Sequence, residues 1–218
     1  MSTERVLGAR RPRATDGLFI VGLIGRAGSG KSTVSAALAE NGARVIDADR
    51  VGHDVTDRDS KVRAALIAEY GPDVYRPNGT LDRIRVAERV FADPAARERL
   101  NRLTHPRLIA RIEAALEALR AETFRGIVLI DAALMLDWGL EKHCDVLIAV
   151  TAPESTRIER LRESRGWTEE QASARLAAQR PDTDYVAAAD VTLENLGTRE
   201  ELAKAARLAI QRLRGASS

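Results

Sequence analysis

The stretch GRAGSGKST, Gly25 to Thr33, sets two glycines five residues apart and follows the second with a lysine and a hydroxyl. This is the spacing G-x-x-x-x-G-K-[ST], and its chemistry is phosphate binding. Glycines let successive backbone N–H groups point inward, and the N-terminus of a following helix adds its partial positive charge. Lys31 can neutralise β- and γ-phosphates, and the Ser32 hydroxyl can join the shell of a Mg²⁺ ion. Arg26 and Ala27 fill variable positions of the pattern. The signal specifies a nucleotide site and leaves the acceptor of the phosphoryl group open.

A candidate for the acceptor side follows at once. VIDADRVGHDV puts Asp47 and Asp49 at the carboxyl end of a short predicted strand, at the sheet edge from which a phosphate loop emerges. A carboxylate there can take the proton of an attacking hydroxyl. Asp49 can equally cap the short helical stretch RVGHDV, and spacing alone does not separate the two roles.

These residues need a frame. LFIVGLI, Leu18 to Ile24, is a nearly continuous apolar run, as expected of a strand buried on both faces. A helix is predicted from Lys31 to Asn41 with Gly42 ending it, and RVID (Arg44 to Asp47) reads as a second strand. Residues 51–122 are mostly helical in pattern, interrupted by the turn-rich RPNGTL. Asp93-Pro94 reads as a helix start, and Pro106 is expected to kink or divide the helix that follows. Strands return at GIVLID, DVLIAV and DVTLEN, with charged helices predicted at 154–165, 168–178 and 199–213. Thr168 with Gln171 and Thr198 with Glu201 are capping-box pairs. Strands alternating with helices predict an α/β fold with a mainly parallel sheet covered on both faces.

The chain has 218 residues, 44% hydrophobic and 30% charged, which describes a globular protein with room for one α/β domain. A formal net charge of +2 gives no argument for nucleic acid or a membrane surface as partner. No apolar run approaches the roughly 20 residues of a membrane span. One cysteine, Cys144, excludes an intramolecular disulfide and fits a reducing compartment such as the cytoplasm. Residues 1–17 are basic and turn-rich and read as a loose N-terminal extension. An Asn-Lys-x-Asp base-reading segment and a Ser-Gly-Gly transporter signature are both absent, so a small-molecule kinase fits better than a GTP switch or a transport ATPase.

The order of phosphate loop, VIDAD, NGTLDR, LTHP and ENLG resembles the dephospho-CoA kinase family over nearly the whole chain, from about Leu18 to Leu213. The resemblance implies a P-loop kinase with a five-stranded sheet, a helical acceptor-binding lobe at about 51–122 and a helical lid at about 154–180. It implies ATP and Mg²⁺ as cofactors and transfer to the ribose 3′-hydroxyl of dephospho-CoA, the last step of coenzyme A biosynthesis. It makes Asp49 the candidate general base, Lys31 the phosphate-binding lysine and Arg160 the lid arginine that balances transition-state charge. Gly28, Ser29, Gly30, Lys31, Ser32 and Thr33 become the cradle, with Gly25 and Ala27 completing the nucleotide-binding set and Ser32 the metal ligand. His105, in LTHP, is a candidate acceptor contact or a capping or core histidine. Asn195 and Gly197 fall near the adenine or form a tight turn.

The chain departs from the family pattern in two places. After the third predicted parallel strand it reads DAALMLD, with Ala133 and Asp137 in place of a proline and a glutamate, and Asp131 is either a metal-holding carboxylate or a strand-end cap. On the lid it has Ser164-Arg165-Gly166 where relatives have Arg-Asp-Gly. Trp167, Trp138 and Met135 read as packing residues. A kinase for another hydroxyl acceptor, and a regulatory protein that holds ATP without transferring it, are the competing readings.

Overall fold

The computed structural model describes residues 4–6, 17–91 and 93–215. In chain order the elements are β1 (Glu4–Val6), β2 (Leu18–Ile24), α1 (Lys31–Glu40), β3 (Arg44–Asp47), α2 (Ala48–Arg58), α3 (Ser60–Tyr70), α4 (Arg83–Phe91) and α5 (Pro94–Ala121). Then follow β4 (Gly126–Asp131), α6 (Met135–Trp138), β5 (Val146–Thr151), α7 (Glu154–Arg165), α8 (Glu169–Ala177), α9 (Asp182–Ala188), β6 (Val191–Glu194) and α10 (Arg199–Gly215). The chain divides into a sheet unit, Met1–Ile46 with Glu122–Ser218, and a helical unit, Asp47–Ala121.

The sheet runs in the order β1-β6-β5-β2-β4-β3. β2 pairs in parallel with β4 and with β5, and β5 pairs in parallel with β6. All seven residues of β2 are buried, which is why its sequence shows no alternation. The five predicted strands form the parallel sheet, and a sixth, antiparallel strand extends it: Glu4–Val6 pairs with Val191–Leu193 of β6. That strand lies within the stretch read as a loose extension. Its pairing satisfies backbone groups that β6 would otherwise present as an open edge. The rest of that expectation, at residues 1–3 and 7–16, lies outside the described residues.

One core cluster joins Val21, Leu23, Leu129, Ile148 and Leu193 of the strands to Val34 and Leu38 of α1 and to Leu202, Ala206 and Ile210 of α10. Two aspartates lengthen the ladder where strands begin. Asp145 N–H donates to the Ile20 carbonyl while its carboxylate accepts from Ile20 N–H at 2.8 Å. Asp190 repeats the arrangement on Leu147, also at 2.8 Å. Both carboxylates are buried, so each serves backbone donors in place of water.

The helical unit has its own smaller core, with Val55, Val62, Leu66, Tyr70, Val74, Leu81 and Val86 buried together. Its helices begin where short polar residues cap them. Asp47 accepts from Arg50 N–H, Asp59 from Lys61 and Val62 N–H, and Asp93 from Ala95 N–H. Of the kink or division expected at Pro106, the division does not occur, because α5 continues through it to Ala121. A proline removes one helical hydrogen bond, whereas Leu108, Ile112 and Leu116 keep one apolar face buried across the next two turns.

Candidate active site

The phosphate loop links β2 to α1, and its shape follows from three glycines. Gly28 has φ +75° and Gly30 has φ +111°, in the region that side-chain-bearing residues avoid. A Cβ on Gly28 would lie 2.8 Å from the Arg157 carbonyl oxygen, and one on Gly30 would strike the Asn195 side chain. At Gly25 (φ +139°) a Cβ would meet the Val150 carbonyl. The loop therefore passes where only bare backbone fits.

The start of α1 differs from the starts of the capped helices. Its N-cap is Gly30, with no side-chain hydrogen bond to the first turn and no acidic residue there. Helices α2, α3 and α8 have Asp47, Asp59 and Thr168 in that role. No side chain therefore offsets the partial positive charge at the start of α1, which suits an anion there.

Surrounding residues hold the loop from outside. Lys31 Nζ donates to the Gly25 carbonyl at 2.7 Å and to the Arg26 carbonyl at 3.4 Å. Asn195, 4% exposed, donates its side-chain N–H to the Ser29 carbonyl at 2.8 Å while its backbone N–H donates to Thr151. Its amide therefore joins the loop to the ends of β5 and β6. Gly197 follows in the turn before α10, where Thr198 and Glu201 form the expected reciprocal cap. Ala27 N–H donates to Gln179 Oε1 at 2.9 Å. Ser29 Oγ is buried without a hydrogen-bond partner, whereas Ser32 and Thr33 lie in the first turn of α1 with Ser32 exposed.

Helix α7 brings two arginines of opposite character. Arg160 donates to the Gly28 carbonyl at 3.2 Å and to the Ser29 carbonyl at 3.5 Å. Arg157 is 2% exposed and paired with both carboxylate oxygens of Asp182, at 2.8 and 2.6 Å. Arg162 and Arg165, at the end of the same helix, are exposed. Sequence reasoning found Arg160 but not Arg157, Arg26, Gln179 or Asp182. A guanidinium within a run of charges carries no mark that it is buried.

The altered segment after β4 is also placed. Asp131 ends that strand beside Leu23 of β2, two residues before the loop begins. Asp137 pairs with Arg180 at 2.8 Å, and this hydrogen bond is the main cause that raises the arginine's pKa. Burial, reinforced by Asp137, pushes the Tyr185 phenol above its usual range. Met135 is buried and Trp167 packs with Leu161, Ala172 and Leu176, as expected of packing residues.

In the helical unit, Asp47 rather than Asp49 is the N-cap of α2, so the capping role in DAD belongs to the first aspartate. Asp49 stands in the first turn, two residues past the end of β3. His105 lies within α5. The NGT sequence is a turn closed by Asn78 Oδ1, which accepts from Thr80 N–H and Oγ1, and Arg83 donates to Thr56 Oγ1 and Asp57.

The donor chemistry fits a nucleotide with a metal held largely through its phosphates. Among the described residues no three His, Cys, Asp or Glu side chains group into a metal cage. A hydroxyl at the loop and a carboxylate on the neighbouring strand suit Mg²⁺, which keeps waters and phosphate oxygens as ligands.

A family model described as dephospho-CoA kinase matches residues 19–201. A dephospho-CoA kinase of Thermobifida fusca is 42% identical over 183 residues, covering 84% of this chain and 90% of the relative. One of Moorella thermoacetica is 38% identical over 196 residues, covering 90% and 92%. A crystal structure of a Thermus thermophilus protein superposes with a TM-score of 0.76 at 29% identity, over 94% of this chain and 99% of that one. A dephospho-CoA kinase structure from Campylobacter jejuni, at 21% identity and a TM-score of 0.66 over 92% and 100%, shares the fold. With the matched residues running from β2 into α10 and so including the whole phosphate loop, the chain belongs to the dephospho-CoA kinase family.

Proposed function

We propose that this protein transfers the γ-phosphoryl group of ATP to the ribose 3′-hydroxyl of dephospho-CoA. The observation that carries the reading is the phosphate loop itself, with an α1 terminus that no side chain caps, inside a chain of this family. The 3′-oxygen forms the new P–O bond, the bond between the γ-phosphorus and the β,γ-bridging oxygen breaks, and ADP leaves. Asp49 accepts the proton of the attacking hydroxyl. The loop N–H groups and Lys31 hold the phosphates in line, and the Arg160 guanidinium offsets charge on the transferred group. Ser32 would hold Mg²⁺ together with the phosphates, with Asp131 acting through water; the ion supplies charge neutralisation on the β- and γ-oxygens. Asn195 keeps the Ser29 carbonyl, and with it the loop, in register. His105 contacts the acceptor, Asn195 and Gly197 lie toward the adenine, and the α7–α8 segment serves as the lid. The protein works in the cytoplasm, without nucleic acid or membrane as partner.

The test is product analysis with ATP, Mg²⁺ and dephospho-CoA beside a panel of nucleosides and sugars. Formation of CoA with acceptor-dependent ADP is expected. ADP formed with another acceptor but not with dephospho-CoA would overturn the substrate, and ATP binding with no transfer would overturn the enzyme reading.

A further inference from the structure

Arg26 is a variable position of the phosphate-loop pattern, yet its side chain is only 11% exposed and reaches two other elements. One terminal nitrogen donates to the Leu176 carbonyl, in the last turn of α8, where a cation meets the negative end of the helix. The other lies 3.7 Å from Glu154, the first residue of α7. Beside it, Ala27 N–H donates to Gln179, and the Ala27 methyl packs on the cluster of Leu161, Ala172, Leu176, Ile158 and Trp167. The outer side of the loop is therefore fastened to both ends of the α7–α8 segment. Arg160 lies within that segment and reaches the Gly28 and Ser29 carbonyls.

The arrangement is a poor choice for stability alone. Arg26 Nε is buried with no hydrogen-bond partner, as is Arg157 Nε nearby. Half-satisfied buried guanidinium groups commonly stabilise no better than apolar side chains of similar size. What the contact does supply is a fixed position for α7.

We propose that Arg26 is a positioning residue for phosphoryl transfer: by tying the phosphate loop to Leu176 and Glu154 it holds α7 where the Arg160 guanidinium reaches the loop. This rests on the reading that Arg160 serves the transfer step. Arg26 itself touches no reacting atom in this scheme.

The test is a double-mutant cycle on the full chain with Arg26→Met, Arg160→Met and both together, reading kcat, KM for ATP and thermal melting. Methionine keeps the apolar stem packed, so the Arg26→Met protein is expected to melt within a few degrees of wild type. Arg160→Met is expected to lower kcat about 100-fold, as loss of one charge-stabilising donor does. Arg26→Met is expected to lower kcat about 10-fold with KM for ATP changed less than about 2-fold, and to have no further effect when Arg160 is already gone. Arg26→Lys, which can still donate to the Leu176 carbonyl, should recover part of the loss. Unchanged kcat in Arg26→Met, an equal loss in both backgrounds, or a loss confined to KM would each overturn the proposal while leaving the Arg160 reading intact. Full activity in Arg160→Met would sink both.

Discussion

The sheet unit and the helical unit hold their charged groups in opposite ways. Among the described residues, the three buried charged side chains all lie in the sheet unit, and each has a backbone or ionic partner: Asp145 and Asp190 extend strand ladders, and Arg157 is gripped by Asp182. In the helical unit the ion pairs lie near the surface. Arg89 and Arg85 meet Asp73, Arg76 meets Asp82, and Arg99 meets both Glu69 and Asp93. Buried polar groups fix position because leaving one unpaired is costly, whereas exposed pairs contribute little each and can be exchanged. The unit that must hold a phosphate loop to within fractions of an ångström is the one that invests in buried polar contacts. The helical unit relies on caps and a small apolar core.

The largest expected effect that sharpens this contrast is at Lys31. Lys31→Ala should lower turnover about 1,000-fold with the fold intact, because a preorganised charge at the phosphates is lost. Steady-state kinetics and circular dichroism on the same sample would check it. Asp190→Ala should come next, costing about 2 kcal/mol in urea unfolding, because the buried Leu147 N–H loses its acceptor. Asp190→Asn, which keeps an acceptor oxygen, should recover much of that.

Acid should separate the units. The Val62 N–H lowers the Asp59 pKa, hydrogen bonds from Arg89 and Arg76 lower those of Asp73 and Asp82, and Ala95 N–H lowers that of Asp93. A depressed folded-state pKa stabilises above the unfolded value, here 3.8 for each, and this is lost as pH falls through the folded value. Hydrogen exchange between about pH 5 and about pH 2.5, a span that brackets ordinary carboxylate values, should show residues 47–121 losing protection before β2 and β5. Simultaneous loss would break the comparison. The smallest effect belongs to Arg85→Ala, expected to change stability by less than about 0.5 kcal/mol, since Arg85 and Asp73 are about half exposed and Asp73 also meets Arg89.

Much of the frame was legible in the residues. β2, β3 and β4 span the stretches LFIVGLI, RVID and GIVLID themselves, and the caps at Asp93, Thr168 and Thr198 open helices as their patterns require. Local rules suffice there because each signal lies within a few residues of what it controls. The misses were of longer range. A proline alone leaves a kinked helix and a divided one both open, and only the fold shows that α5 runs undivided through Pro106; the pairing of Glu4–Val6 with β6 joins residues almost 190 apart in sequence. At the candidate site, the motif marked the glycines, Lys31 and Ser32. The contacts of Asn195, Gln179 and Arg157 with the loop depend on which strand ends the fold brings together, and no spacing encodes that. For Asp49 the structure adds something the sequence could not, since the cap is Asp47.

The central claim is that Asp49 takes a proton during transfer from ATP to dephospho-CoA, and Asp49→Asn tests it most directly. Asparagine keeps the shape and removes the base. CoA formation by the variant should fall about 100- to 10,000-fold while its affinity for ATP stays within about 2-fold of wild type. CoA formation at the wild-type rate would contradict the account.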